Sequence, residues 1–185
     1  MARSDQALRR ARGAYERAHV AAGLRGVAIA LGLTALAIGL HRTTSSTWLV
    51  AALLGATLAT LGWRGGPWRR GALAGVLAGL PVFVAPVVVF ALGHGGHCPD
   101  CELGPTWACL ATCFGTSSLA GLAVGRFALA DASPPRFATA AFAAAVLTGL
   151  LGCATTGLGG ATGIVVGFVA GSVAGWVTGR RAAHA

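Results

Sequence analysis

Residues 158–178 read LGGATGIVVGFVAGSVAGWVT. This run of 21 residues without a charge decides the fold class. About 20 apolar residues suffice to carry a helix across the roughly 30 Å hydrocarbon core of a bilayer. The same stretch holds a second pattern. Gly159, Gly163, Gly167, Gly171, Gly175 and Gly179 recur every four residues, which places them along one helix face. Where side chains are missing, a second helix can approach closely enough for dispersion and Cα–H contacts to hold the pair. Gly71, Gly75 and Gly79 repeat the spacing, as do Ser117, Gly121 and Gly125. The helix covering each row is expected within the same chain, because a multi-span protein needs internal interfaces.

Outward from this run, five more apolar spans precede it, at 26–40, 48–63, 72–93, 106–129 and 137–156. The expected fold is all-α, a polytopic bundle of six transmembrane helices over 24–179. A cytoplasmic basic segment, 1–23, precedes it and a short tail, 180–185, follows. Composition agrees with that class: 55% of residues are hydrophobic, 10% are charged and 29 are glycine. The first span is short unless Arg25 snorkels at its end. Pro81 and Pro86 each remove a backbone donor from the third span and predict a bend, either a packing kink or a hinge.

The net charge of +9 rests on arginine alone, since the 14 basic residues include no lysine. Six arginines precede the first span, three lie at 64, 69 and 70, Arg126 and Arg136 flank the fourth loop, and Arg180 and Arg181 close the chain. Only Arg42 falls in the alternate loops. Such asymmetry predicts both termini in the cytoplasm of a bacterium, with the chain in its inner membrane. Charge gathered at span ends marks topology, so the bilayer is the expected partner and direct nucleic-acid binding is not. In 1–23, Leu8, Ala11, Tyr15 and Ala18 recur at helical spacing among Arg9, Arg10, Arg12, Glu16 and Arg17. This segment reads as a basic helix on anionic headgroups, or as a docking helix for a cytoplasmic partner. It lacks the cleavage pattern of a signal peptide.

Chemistry concentrates in 93–113, GHGGHCPDCELGPTWACLATC. His94, His97, Cys98 and Cys101 form an H-x-x-H-C-x-x-C pattern whose two imidazoles and two thiolates can complete a tetrahedral zinc site or bind Cu(I). The same C-x-x-C serves equally as a disulfide or a redox pair. Cys109 and Cys113 share a helix face at i, i+4 and offer a second soft pair. With Cys153, all five cysteines fall on the predicted outer side, where thiols can oxidise. An odd count leaves at least one unpaired within the chain. No charged residue or histidine lies in the middle of a span, which argues against ion- or proton-coupled transport and against intramembrane hydrolysis. Phosphate-loop and dinucleotide fingerprints are absent.

A basic N-terminal segment, six spans, and His97-Cys98-Pro99-Asp100 on the outer face together resemble membrane-bound anti-sigma factors of the NrsF and CarR type. The start, RARGAYERAHVAAGLRG, is similar to the start of such proteins. The resemblance implies that residues 9–17, with Arg9, Arg10, Arg12, Tyr15 and Arg17, hold an extracytoplasmic-function sigma factor. It also implies that Cys98 and Cys153 are periplasmic thiols bearing on its release. The expected function is therefore a regulatory membrane sensor rather than an enzyme. The alternatives are a thiol oxidoreductase passing electrons from C-x-x-C to a quinone, and a metal-binding transport accessory. Oligomeric state is open.

Overall fold

The computed structural model describes residues 2–40, 45–93, 107–153 and 158–183, with side chains over 12–39, 45–85, 88, 110–152 and 160–181. The predicted loop residues His94, His97, Cys98 and Cys101 lie outside the described residues. The described chain forms six helices and no strand: α1 (Ala2–Leu40), α2 (Ser45–Arg64), α3 (Gly66–Gly93), α4 (Trp107–Leu129), α5 (Pro134–Cys153) and α6 (Leu158–Ala183). Four stretches are long and apolar enough to cross a membrane by length and composition: Arg12–Gly39, Ser45–Arg64, Pro134–Gly152 and Gly160–Arg181.

The basic segment 1–23 and the first apolar span belong to one helix, α1, which runs unbroken for 39 residues, about 58 Å at 1.5 Å per residue. Glycine lowers helix propensity by about 1 kcal/mol, but Gly23 and Gly26 lie where α2 presses closest. A Cβ on Gly26 would sit 2.8 Å from the Leu58 carbonyl oxygen, and one on Gly62 would sit 3.0 Å from that of Ala22. These glycines are contact points of an antiparallel hairpin, and packing overrides their propensity. Gly65 and Gly66 make the tight turn into α3, with φ of 66° and 51°, a region costly for other residues. The Gly65 N–H closes the end of α2 on the Leu61 and Gly62 carbonyls. Helix α3 continues past both Pro81 and Pro86 to Gly93.

Helix pairing follows the small-residue rows. Gly71, Gly75 and Gly79 on α3 meet Phe137, Ala141 and Ala145 on α5, while Gly152 meets Phe83. Contacts advance in the same direction along both helices, so α3 and α5 run parallel. Helices α4 and α6 pair the same way. Gly121 and Gly125 face Phe168 and Ser172, and Gly167, Gly171 and Gly175 face Phe114, Ser118 and Leu122. Two consecutive hairpins, α3–α4 and α5–α6, are thus laid side by side, like helix on like. Helix α5 is the hub. It touches every other helix, and none of its described large apolar side chains is exposed. Ala140, Ala141, Ala144 and Ala145 let five neighbours close around it.

Outside, the bundle is apolar. Leu31, Leu77, Leu119 and Val166 are each more than half exposed, and Leu53 is half exposed. A surface of this kind, continued over α1, α2, α3, α4 and α6, is compatible with contact to acyl chains.

Candidate functional site

The two ends of the bundle differ chemically. The C-termini of α1, α3 and α5 meet the N-termini of α2, α4 and α6 at one end; the helix polarities and pairings require this. Cys109 stands in the first turn of α4, and Cys153 is the last residue of α5. Residues 94–106, which carry Cys98 and Cys101, lie outside the described residues.

Cys113 is one turn deeper, 2% exposed among α4, α6 and Val82 of α3. A Cβ on Gly163 would lie 3.5 Å from Cys113 Cβ. Cys113 is thus a core residue, while the side chain of its i, i+4 neighbour Cys109 lies outside those described. Ser117 reinforces the spot by donating to the Cys113 carbonyl at 2.6 Å, with the Gly163 carbonyl 3.4 Å away across the interface. Among the described residues no three His, Cys, Asp or Glu side chains gather as metal ligands would. The proposed zinc or Cu(I) ligands lie outside that set.

Every described arginine lies toward the opposite end, from Arg12 on α1 to Arg181 on α6. Tryptophans mark the level. Arg64 lies 5.2 Å over the Trp68 ring and Arg180 lies 3.6 Å over Trp176, within cation–π range. Trp63 ends α2 beside them, while Trp48 and Trp107 open α2 and α4 at the other end. From Trp48 to Trp63 the helix rises about 22 Å. All five tryptophans thus fall near helix ends, the placement of membrane-interface aromatics.

Two features at the arginine end escaped sequence reasoning. In the first, the His19 Nδ1–H donates to the Trp63 carbonyl, among the last carbonyls of α2 that have no helical partner. Tyr15 stacks obliquely on His19 at 4.2 Å, and Trp63 follows at 6.1 Å. This cluster fastens the outer part of α1 to the α2–α3 turn. The i, i+4 spacing of Tyr15 and His19 is visible in sequence; their partner 44 residues away is not.

In the second, Arg70 Nε and Nη2 both lie 3.0 Å from Asp131 Oδ2. The other carboxylate oxygen accepts the Ser133 N–H at 3.0 Å. Ser133 precedes Pro134, the first residue of α5, and its carbonyl accepts the Phe137 N–H, an ordinary helix start with proline at the first position. The sequence ADASPP signals this turn, but not the arginine 61 residues away.

Of the residues implied in partner binding, Arg12, Tyr15 and Arg17 are exposed on α1, Tyr15 by 67%. Arg17 also donates to the Gly13 carbonyl at 2.9 Å. Arg9 and Arg10 occupy the same helix by backbone. In the glycine row of α6, Gly163, Gly167, Gly171, Gly175 and Gly179 all face α4, and Gly159 stands in the first turn of α6.

Two buried hydroxyls predict opposite mutational signs. Thr148 on α5 is fully buried beside Gly79, and its Oγ1 has no protein partner. Thr148→Val is expected to be neutral or to stabilise by about 1 kcal/mol, since it removes an unsatisfied polar atom. Ser117→Ala removes a fully buried hydroxyl that donates within its own helix, and is expected to destabilise by about 0.5–1 kcal/mol. Unfolding of the two variants in mild detergent reads both. Loss of stability in Thr148→Val would show that its hydroxyl is engaged.

Compared with models of known protein families, with curated proteins and with solved structures, the chain matches none.

Proposed function

We propose that the chain is a six-span bacterial inner-membrane regulator with both termini in the cytoplasm. In this reading, α1 presents a docking surface to a cytoplasmic sigma factor, and the cysteine-rich end faces outward as the sensor. Helices α3 and α4, at 28 and 23 residues, are long enough to complete the six spans. Arginines at one end of the bundle favour that end as cytoplasmic.

The observation that carries the reading is the continuity of α1. Exposed Arg12, Tyr15 and Arg17 stand on the same unbroken helix whose far half packs through Ala30, Leu33 and Ala37 into the core shared with α2, α3 and α5. A repacking at the cysteine end, by disulfide exchange or metal binding at His94, His97, Cys98 and Cys101, reaches the docking face without a flexible joint. The two-state element is the set of small-residue interfaces, where sub-ångström shifts matter.

The test uses the full chain in cells, with sigma factor retained on membranes as the readout. Arg12→Glu with Arg17→Glu is expected to lower retention several-fold, because it reverses charge on the docking face. Cys98→Ser with Cys101→Ser is expected to abolish the change in retention caused by oxidant or by metal stress. Retention that ignores both pairs of substitutions would reject the regulatory reading.

A further inference from the structure

A groove of about 810 Å³ opens on the outside of the bundle between α3 and α4. Ala74, Leu77 and Ala78 form one wall and Ala123 and Phe127 the other, while Arg70 and Asp131 stand at one end. From Arg70 to Ala78 the lining rises about 12 Å along α3. The groove therefore runs parallel to the helices and is graded: a charged end, then only apolar side chains. Leu77 and Phe127 are each 67% exposed, so no part of the described chain covers it.

The charged end is built rather than incidental. Asp131, with a side chain 7% exposed, holds Arg70 from below through Nε and Nη2, and its own second oxygen is taken by the turn. Arg70 is left 60% exposed, positioned in advance, with donors on Nη1 not used in that pair. Its surroundings are basic: Arg69, Arg126 and Arg136 belong to the same end, with Asp131 the single carboxylate in the α4–α5 turn.

We propose that this groove holds an anionic phospholipid, its phosphate on Arg70 and one acyl chain between α3 and α4. The inference rests on the membrane reading above but not on any sigma factor. The direction of the groove favours lipid over an interfacial amphipathic helix, and its charged end favours lipid over a purely apolar spanning helix. An amphipathic helix lies in the plane of the headgroups, whereas this groove descends along the bundle axis with its polar end at the level of the interfacial tryptophans. That is the order of polarity in a lipid molecule.

The full chain, purified in a neutral detergent, is offered phosphatidylglycerol or phosphatidylcholine of identical acyl chains, and bound lipid is counted by native mass spectrometry. Wild type is expected to retain phosphatidylglycerol about fivefold better, the value of one arginine near an anionic surface. Arg70→Gln should erase that preference and Arg70→Lys should keep most of it. Ala74→Trp should fill the groove and reduce retention of both lipids. Equal retention of the two lipids by wild type overturns the proposal, as does undiminished retention by Ala74→Trp. Should Arg70→Gln lose helicity by circular dichroism, Ala74→Trp and Arg70→Lys decide the matter. Failure of the chain to float with liposomes is a separate result and would instead reject the membrane reading.

Discussion

An arginine placed at Leu119 is expected to cost about 2.5–3.5 kcal/mol of membrane insertion, the value for that residue at the centre of a spanning helix. Leu119 lies midway along α4 and is 71% exposed, so nothing in the bundle is crowded by the new side chain. In water the same change at an exposed site would fall within about 0.5 kcal/mol of neutral. The two solvents thus predict different results from one substitution, and packing does not enter. The measurement is the fraction of full-length chain that enters membranes and resists alkaline extraction. Leu119→Ala is the control, expected to insert as wild type does. Normal insertion of Leu119→Arg would show that this face does not meet acyl chains, and the six-span reading would fail with it.

The second large effect is expected at the α4–α6 interface. Gly171→Ala should destabilise the bundle by about 2–3 kcal/mol, at the upper part of the range for overpacking. The added methyl would overlap the Ser118 carbonyl group, all backbone atoms. A side chain in the way can rotate; a helix backbone can yield only by moving the whole helix. Because Gly167 and Gly175 also approach the backbone of Phe114 and Leu122 closely, separating α6 at one point loosens the row on both sides. Gly32→Ala on α1 provides the opposite sign. A Cβ there meets nothing within 4 Å, so alanine should be neutral or stabilise by up to about 1 kcal/mol through backbone entropy. Reversible unfolding in mild detergent ranks the two. If they prove equal, the closeness of α4 and α6 is not what holds this half of the bundle.

The candidate site was legible only in its ingredients. The spacing of His94, His97, Cys98 and Cys101 raises the expectation of a metal or redox site, because ligand spacing is local, but these residues lie outside those described. Its neighbours are another matter. Cys113 follows Cys109 at the spacing of a ligand pair, but spacing does not reveal that Cys113 is buried, its helix face being the one that meets Gly163. Periodicity reports which residues share a face; it does not report what that face meets. The same limit explains why Asp131 could be read as a turn residue but not as the support for Arg70.

What the sequence determines by itself is the class: uncharged runs of spanning length, arginine-rich connections and glycine every fourth residue. These are one-dimensional properties. Lipid requires every backbone donor to be satisfied within its own helix, so run length and flanking charge mark the expected spans, though not how far α1 extends. Tertiary structure decides the pairings, the hub and the continuity of α1. Rows of glycine and alanine look alike on α3, α4 and α6, so no local signal says which meets which. The choice of α5 as the common neighbour is made by fit over the whole bundle: only its alanine-rich surface lets five other helices approach at once.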